Sequence, residues 1–125
     1  MQRGAACTAR IEAALDAFAP NLRAILEQLK AALPQDAEFY VMAAYNPFDL
    51  GIGLPFEDYS SGIVADMNTI IRTEAAAVGA TLADPFDDMA DNAGVWTNML
   101  TESDIHPNAA GYQVLAYSLA QARDN

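Results

Sequence analysis

The chain predicts an α/β fold built on a small parallel sheet, and three observations carry that expectation. Apolar residues recur at helical spacing near the start, in the middle and at the end of the sequence. Two short apolar runs, residues 38–44 and 80–84, lie between these stretches and are bounded by turn signals. The order is therefore helix, strand, helix, strand, helix, as expected for parallel strands joined by right-handed crossovers.

Each element has its own reason. From residue 8 to 33 the apolar stripe runs Ile11, Ala14, Leu15 and Phe18, then Leu22, Ile25, Leu26, Leu29 and Leu33. Pro20-Asn21 interrupts it and predicts a kink or a break between two helices. Leu33-Pro34-Gln35-Asp36 is a stop signal. Residues 38–44 (Glu-Phe-Tyr-Val-Met-Ala-Ala) read as a strand apolar on both faces, the pattern of a strand covered by helices in a parallel sheet. Asn46-Pro47-Phe48 ends it, and residues 49–58 form a loop. A second helix is predicted to begin near Ser60 or Ser61, either of which suits a cap. Its buried stripe would be Ile63, Met67, Ile70, Ile71, Ala75 and Val78, with Gly79 ending it. After the strand at 80–84, an acidic stretch leads through Trp96 to a last helix over residues 108–122. That helix is expected to bury Val114, Leu115, Leu119 and Tyr112.

Composition bounds the function. The 125 residues fit one α/β domain spanning residues 1–125, and 53% apolar with 18% charged residues is a globular composition. A net charge of −11 argues against nucleic acid and anionic membrane surfaces as partners. A single cysteine, Cys7, excludes an internal disulfide and any multi-thiolate zinc site. Asp84, Asp87, Asp88, Asp91 and Asn92 do not follow the alternating ligand spacing of a calcium loop, so they read as a solvated acidic turn. No cofactor or metal is expected. No apolar run approaches the ~20 residues of a membrane span, and residues 1–7 lack the apolar core of a signal peptide. The compartment stays open.

The most informative segment is Asp104-Ile105-His106-Pro107-Asn108-Ala109-Ala110-Gly111-Tyr112, which holds the only histidine. A histidine acting as general base needs a nucleophile on one ring nitrogen and an orienting acceptor on the other. In a short Asp-x-His spacing one loop supplies both imidazole and acceptor. Pro107 fixes φ, Asn108 is placed to cap the following helix, and Gly111 lets that helix pack closely against the sheet. Taken alone, an Asp/His pair in a loop is ordinary turn and cap chemistry. The full nine-residue string, opening a helix, points to a site.

His-Pro-Asn-x-x-Gly-Tyr at the start of a last helix resembles the histidine block of the SGNH (GDSL-type) esterase and lipase superfamily. Residues 21–26, Leu33-Pro34, Tyr45-Asn46-Pro47-Phe48 and residues 79–84 also resemble the middle and last steps of secreted bacterial members. The resemblance implies a flavodoxin-like α/β sandwich, present here in part, and serine-dependent hydrolysis of small-molecule carboxylic esters. It makes His106 the catalytic base. The family's orienting aspartate usually stands three residues before the histidine, where this chain has Ser103; Asp104, two residues before, is the candidate here.

The family's Gly-Asp-Ser and Gly-x-Asn-Asp motifs have no match in the chain, which therefore reads as the C-terminal portion of such a hydrolase. Ser60, Ser61 and Ser103 are the remaining candidate nucleophiles, with Ser60 and Ser61 reading rather as helix caps and Cys7 as a small buried apolar group. Trp96 would either line an acyl pocket near His106 or cover a sheet edge. The alternative to a hydrolase is a non-catalytic α/β module that forms homo-oligomers through an exposed sheet edge.

Overall fold

The computed structural model describes residues 5–124. Residues 1–4, where most of the reading of the 1–7 segment falls, lie outside the described residues, as does residue 125. In chain order the elements are α1 (Ala5–Ala32), β1 (Tyr40–Met42), α2 (Pro55–Ala77), β2 (Thr81–Ala83), the one-turn helices α3 (Phe86–Met89), α4 (Ala93–Trp96) and α5 (Met99–Glu102), and α6 (Ala109–Asp124). The two strands pair in parallel with Val41 opposite Leu82, and α2 is the crossover such a pair requires. The fold is thus the expected α/β class, helix-rich, with a small part of a sheet.

α1 is one helix that runs through Pro20, so of the kink or break expected there the break does not occur. It packs along α2. The Arg23 guanidinium ties the two together, donating to both carboxylate oxygens of Glu74 at 2.7 and 2.8 Å. A bidentate pair of this kind fixes direction as well as distance.

α2 starts at Pro55, five residues ahead of the expected caps. Proline at the first helical position lacks only an N–H that would be unpaired anyway. Two residues on, the Glu57 carboxylate reaches back and accepts the Leu54 N–H at 2.7 Å. Ser60 and Ser61 therefore lie inside the helix and cap nothing. At its other end Gly79, at φ +69°, closes α2 as expected. The Gly79 N–H donates to Ala76 and the Ala80 N–H to Ala75, a Schellman arrangement that satisfies two terminal carbonyls.

Leu26, Ala43, Ile71, Ala75, Ala83, Met89 and Ala93 form the buried apolar core between α1, α2, the strands and the short helices. Of the stripe expected on α2, only Ile71 and Ala75 are fully buried. The helix also buries Asn68, whose amide donates to the Ala44 carbonyl at 2.7 Å and accepts the Ala44 N–H at 2.8 Å. That pair continues the backbone pairing of β1 beyond the strand, with a side chain in place of a third strand.

α6 begins where expected, but its buried residues are Gly111 and Ser118. Val114 and Leu115 are half-buried, whereas Tyr112 is 57% and Leu119 40% exposed. Gly111 has the close approach expected of it, against a different partner. A Cβ there would stand 2.0 Å from the Trp96 carbonyl oxygen, so it is α4 that requires the glycine.

Candidate active site

The histidine loop, residues 97–108, joins α4 and α5 to α6 and is closed by a short backbone strap. Thr97 and Pro107 face each other in an antiparallel bridge. The Asn98 N–H donates to the His106 carbonyl at 3.0 Å, and the Asn108 N–H to the Trp96 carbonyl at 2.9 Å. The Asp104 N–H reaches the Asn98 carbonyl at 3.4 Å. Asn108 does what its position suggests. Its Oδ1 accepts the N–H groups of Ala110 and Gly111 at 3.0 and 3.1 Å, while its Nδ2 donates back to the Val95 carbonyl at 2.7 Å. One side chain thus caps α6 and anchors α4.

Within this strap the Asp104 Oδ1 lies 2.5 Å from the His106 Nδ1 and accepts the His106 backbone N–H at 3.1 Å. A carboxylate can only accept, so the neutral imidazole carries its proton on Nδ1 and leaves a lone pair on Nε2. The backbone N–H of His106, then its ring, hold the Asp104 carboxyl below the ordinary aspartate range. The imidazole side chain is 71% exposed, and among the described residues Nε2 has no hydrogen-bond partner. The arrangement has the parts of a base poised toward solvent: an oriented ring, a fixed tautomer and a free acceptor.

A further contact was not visible in the sequence. The Tyr45 hydroxyl, at the exit from β1, donates to the Ile105 carbonyl at 2.7 Å. It joins the strand end to the residue between Asp104 and His106. Tyr-Asn-Pro-Phe was readable as a strand stop, but nothing in the spacing of residues 60 apart signals this pairing. Burial pushes the Tyr45 phenol above its ordinary pKa, with Tyr112 and Asp104 adding to the effect, so it stays a donor.

Among the described residues none of the candidate nucleophiles is hydrogen-bonded to the imidazole. Asn46, 3% exposed, donates from Nδ2 to Ser60 Oγ at 2.8 Å and Ser61 Oγ at 2.9 Å. The Ser60 hydroxyl donates on to the Glu57 carbonyl, and that of Ser61 to Asp49 at 3.3 Å. Both serines belong to the packing of the β1 exit loop on α2. Ser103 is an exposed left-handed residue at φ 55° that ends α5. Cys7 is exposed on α1, which corrects its reading as a buried apolar group.

Trp96 lines a shallow hollow with Asp88, Ala110, Gln113, Val114 and Tyr117 along one side of α6; His106 is not among its walls. In the acidic stretch, Asp84 is bound to Arg72 at 2.8 Å and accepts the Phe86 N–H at 3.2 Å. Among the described residues no three His, Cys, Asp or Glu side chains converge, and no helix is long and apolar enough to cross a membrane.

Comparison with curated proteins and with solved structures returned no match. A family profile does match, and it spans residues 3–114, from the start of α1 into the histidine block and the first turns of α6. With nine-tenths of its length covered by that profile, the chain belongs to the GDSL-like Lipase/Acylhydrolase family of hydrolases.

Proposed function

We propose that the protein acts in the hydrolysis of small-molecule carboxylic esters, with His106 as general base and Asp104 as the acceptor that orients it. The observation carrying this reading is the contact of 2.5 Å between Asp104 Oδ1 and the Nδ1 of a largely exposed imidazole. In such a step Nε2 takes the proton of an attacking hydroxyl, and the aspartate stabilises the imidazolium that results. The nucleophile and the oxyanion donors are unassigned. On this reading residues 1–125 form one α/β unit that carries the histidine portion of the hydrolase. The test is turnover of a short-chain p-nitrophenyl ester by the purified chain beside His106→Ala. The base role predicts a rate lower in the variant by at least about 10²-fold; equal rates in the two proteins contradict it.

A second reading is favoured by the sheet itself. β1 and β2 pair only with each other among the described residues, so each has an unpaired edge. Met42, at 37% exposure, stands on β1. A non-catalytic module that forms homo-oligomers through this edge would elute as a dimer or larger species in gel filtration, with His106→Ala leaving the profile unchanged. A monomer excludes it.

A further inference from the structure

Resting on the reading of His106 as a base, we propose that Tyr45 is a positioning residue for the Asp104–His106 pair, acting through the Ile105–His106 peptide group. That one peptide group is held at both ends. Its carbonyl oxygen, on Ile105, accepts the Tyr45 hydroxyl at 2.7 Å. Its N–H, on His106, donates to Asp104 Oδ1 at 3.1 Å, and the same oxygen meets the imidazole Nδ1 at 2.5 Å.

Because a peptide group is planar and rigid, holding its oxygen fixes where its N–H points. The phenol therefore sets the direction from which the N–H meets the carboxylate, and the carboxylate sets the ring. The bonds also polarise one another: a donor on the carbonyl makes the N–H across the same peptide a better donor. The backbone strap does not do this work. It engages the His106 carbonyl through Asn98 and the Asp104 N–H through the Asn98 carbonyl. Both groups lie outside the Ile105–His106 plane, so rotation of that plane is left to Tyr45 and Asp104. Tyr45 lies three residues past the end of β1, so the tether ties the dyad to the segment that leaves the sheet.

The chain's single histidine makes this measurable without turnover. Ring ¹⁵N shifts of the neutral imidazole report whether the proton sits on Nδ1 or Nε2. The wild-type ring is expected in the Nδ1–H form. Tyr45→Phe, which removes only the hydroxyl, is expected to lose much of that form to Nε2–H, with an unchanged far-UV spectrum. Tyr117→Phe removes an exposed hydroxyl bound to Gln121 and is expected to leave the tautomer alone.

The wild-type chain offers the same test with no substitution. When alkaline pH ionises the Tyr45 phenol, which Tyr112 and Asp104 face, the Nδ1–H form should decline with the same midpoint as the Tyr45 ¹³Cζ shift. A Tyr45→Phe ring indistinguishable from wild type, a wild-type ring protonated on Nε2, or a tautomer indifferent to Tyr45 ionisation overturns the inference. Absence of ester hydrolysis counts against the proposed function alone, because none of these readings depends on it.

Discussion

Two loops meet near His106, and they use their polar groups in opposite ways. In the loop after β1 every buried polar side chain is engaged within the loop and α2. Asn46 bridges Ser60 and Ser61 and accepts the Phe48 N–H. Glu57, 5% exposed, accepts the N–H groups of Gly51, Ile52 and Leu54. In the histidine loop the strap engages the backbone and Asp104 engages one ring nitrogen, while the other ring nitrogen is left to solvent. Fully partnered groups hold a shape; a group held firmly with one valence free is available for chemistry. The difference separates a structural loop from a candidate site more clearly than residue type does.

The contrast breaks most severely at the joint between α4 and α6. Gly111→Ala would drive a Cβ into the Trp96 carbonyl, displacing the strap, and is expected to lower unfolding free energy by about 3 kcal/mol in urea. A normal midpoint would mean that α4 is not fixed against α6. Next comes Asn46→Ala, which removes three bonds at a buried position. It should lower stability by about 2 kcal/mol, whereas His106→Ala should leave the melting temperature unchanged. Equal losses in the two variants would erase the distinction between the loops.

A smaller effect sharpens the comparison through pH. The Leu54 N–H, first among several backbone donors, holds the Glu57 carboxyl below its ordinary value of 4.5 despite burial. A folded-state pKa depressed in this way gives stability that is present above the unfolded value and lost as pH falls through the folded one. Glu74, paired with Arg23, acts in the same sense. Glu57→Gln is therefore expected to be less stable at neutral pH and to converge on wild type in acid. Its melting temperature should fall less steeply below about pH 4.5. Parallel profiles for the two proteins would show that the carboxylate is not what holds the Gly51–Leu54 loop.

How much of this was legible in the sequence depends on the range of the signal. The fold class, both strands, the Gly79 stop and the Asn108 cap are local or periodic, and all were readable. The start of α2 was also written in the sequence. Pro55 at the first position and Glu57 at the third outrank Ser60 and Ser61, because a proline and a reaching carboxylate mark a helix start more specifically than a serine does. α3, α4 and α5 are single turns and carry no periodicity to read. Periodicity misplaced Tyr112 and Leu119 for a different reason. α6 approaches α4 through Gly111, so its small face is the buried one and its larger residues turn outward. The Asp104–His106 contact lay within one loop and could be anticipated. The Tyr45 tether joins residues far apart in sequence, and only the folded chain brings them together.

In the proposed mechanism Asp104 orients an imidazole that acts as a base, and Asp104→Asn probes that role at its source. The substitution keeps the size of the side chain but replaces a pure acceptor with an amide that can present a donor to Nδ1, which favours the wrong tautomer. Turnover of a short-chain p-nitrophenyl ester would be compared for wild type, Asp104→Asn and His106→Ala. A fall of about 10²- to 10⁴-fold is expected in the asparagine variant, approaching that of His106→Ala, with the melting temperature little changed. Wild-type turnover retained in Asp104→Asn would contradict it.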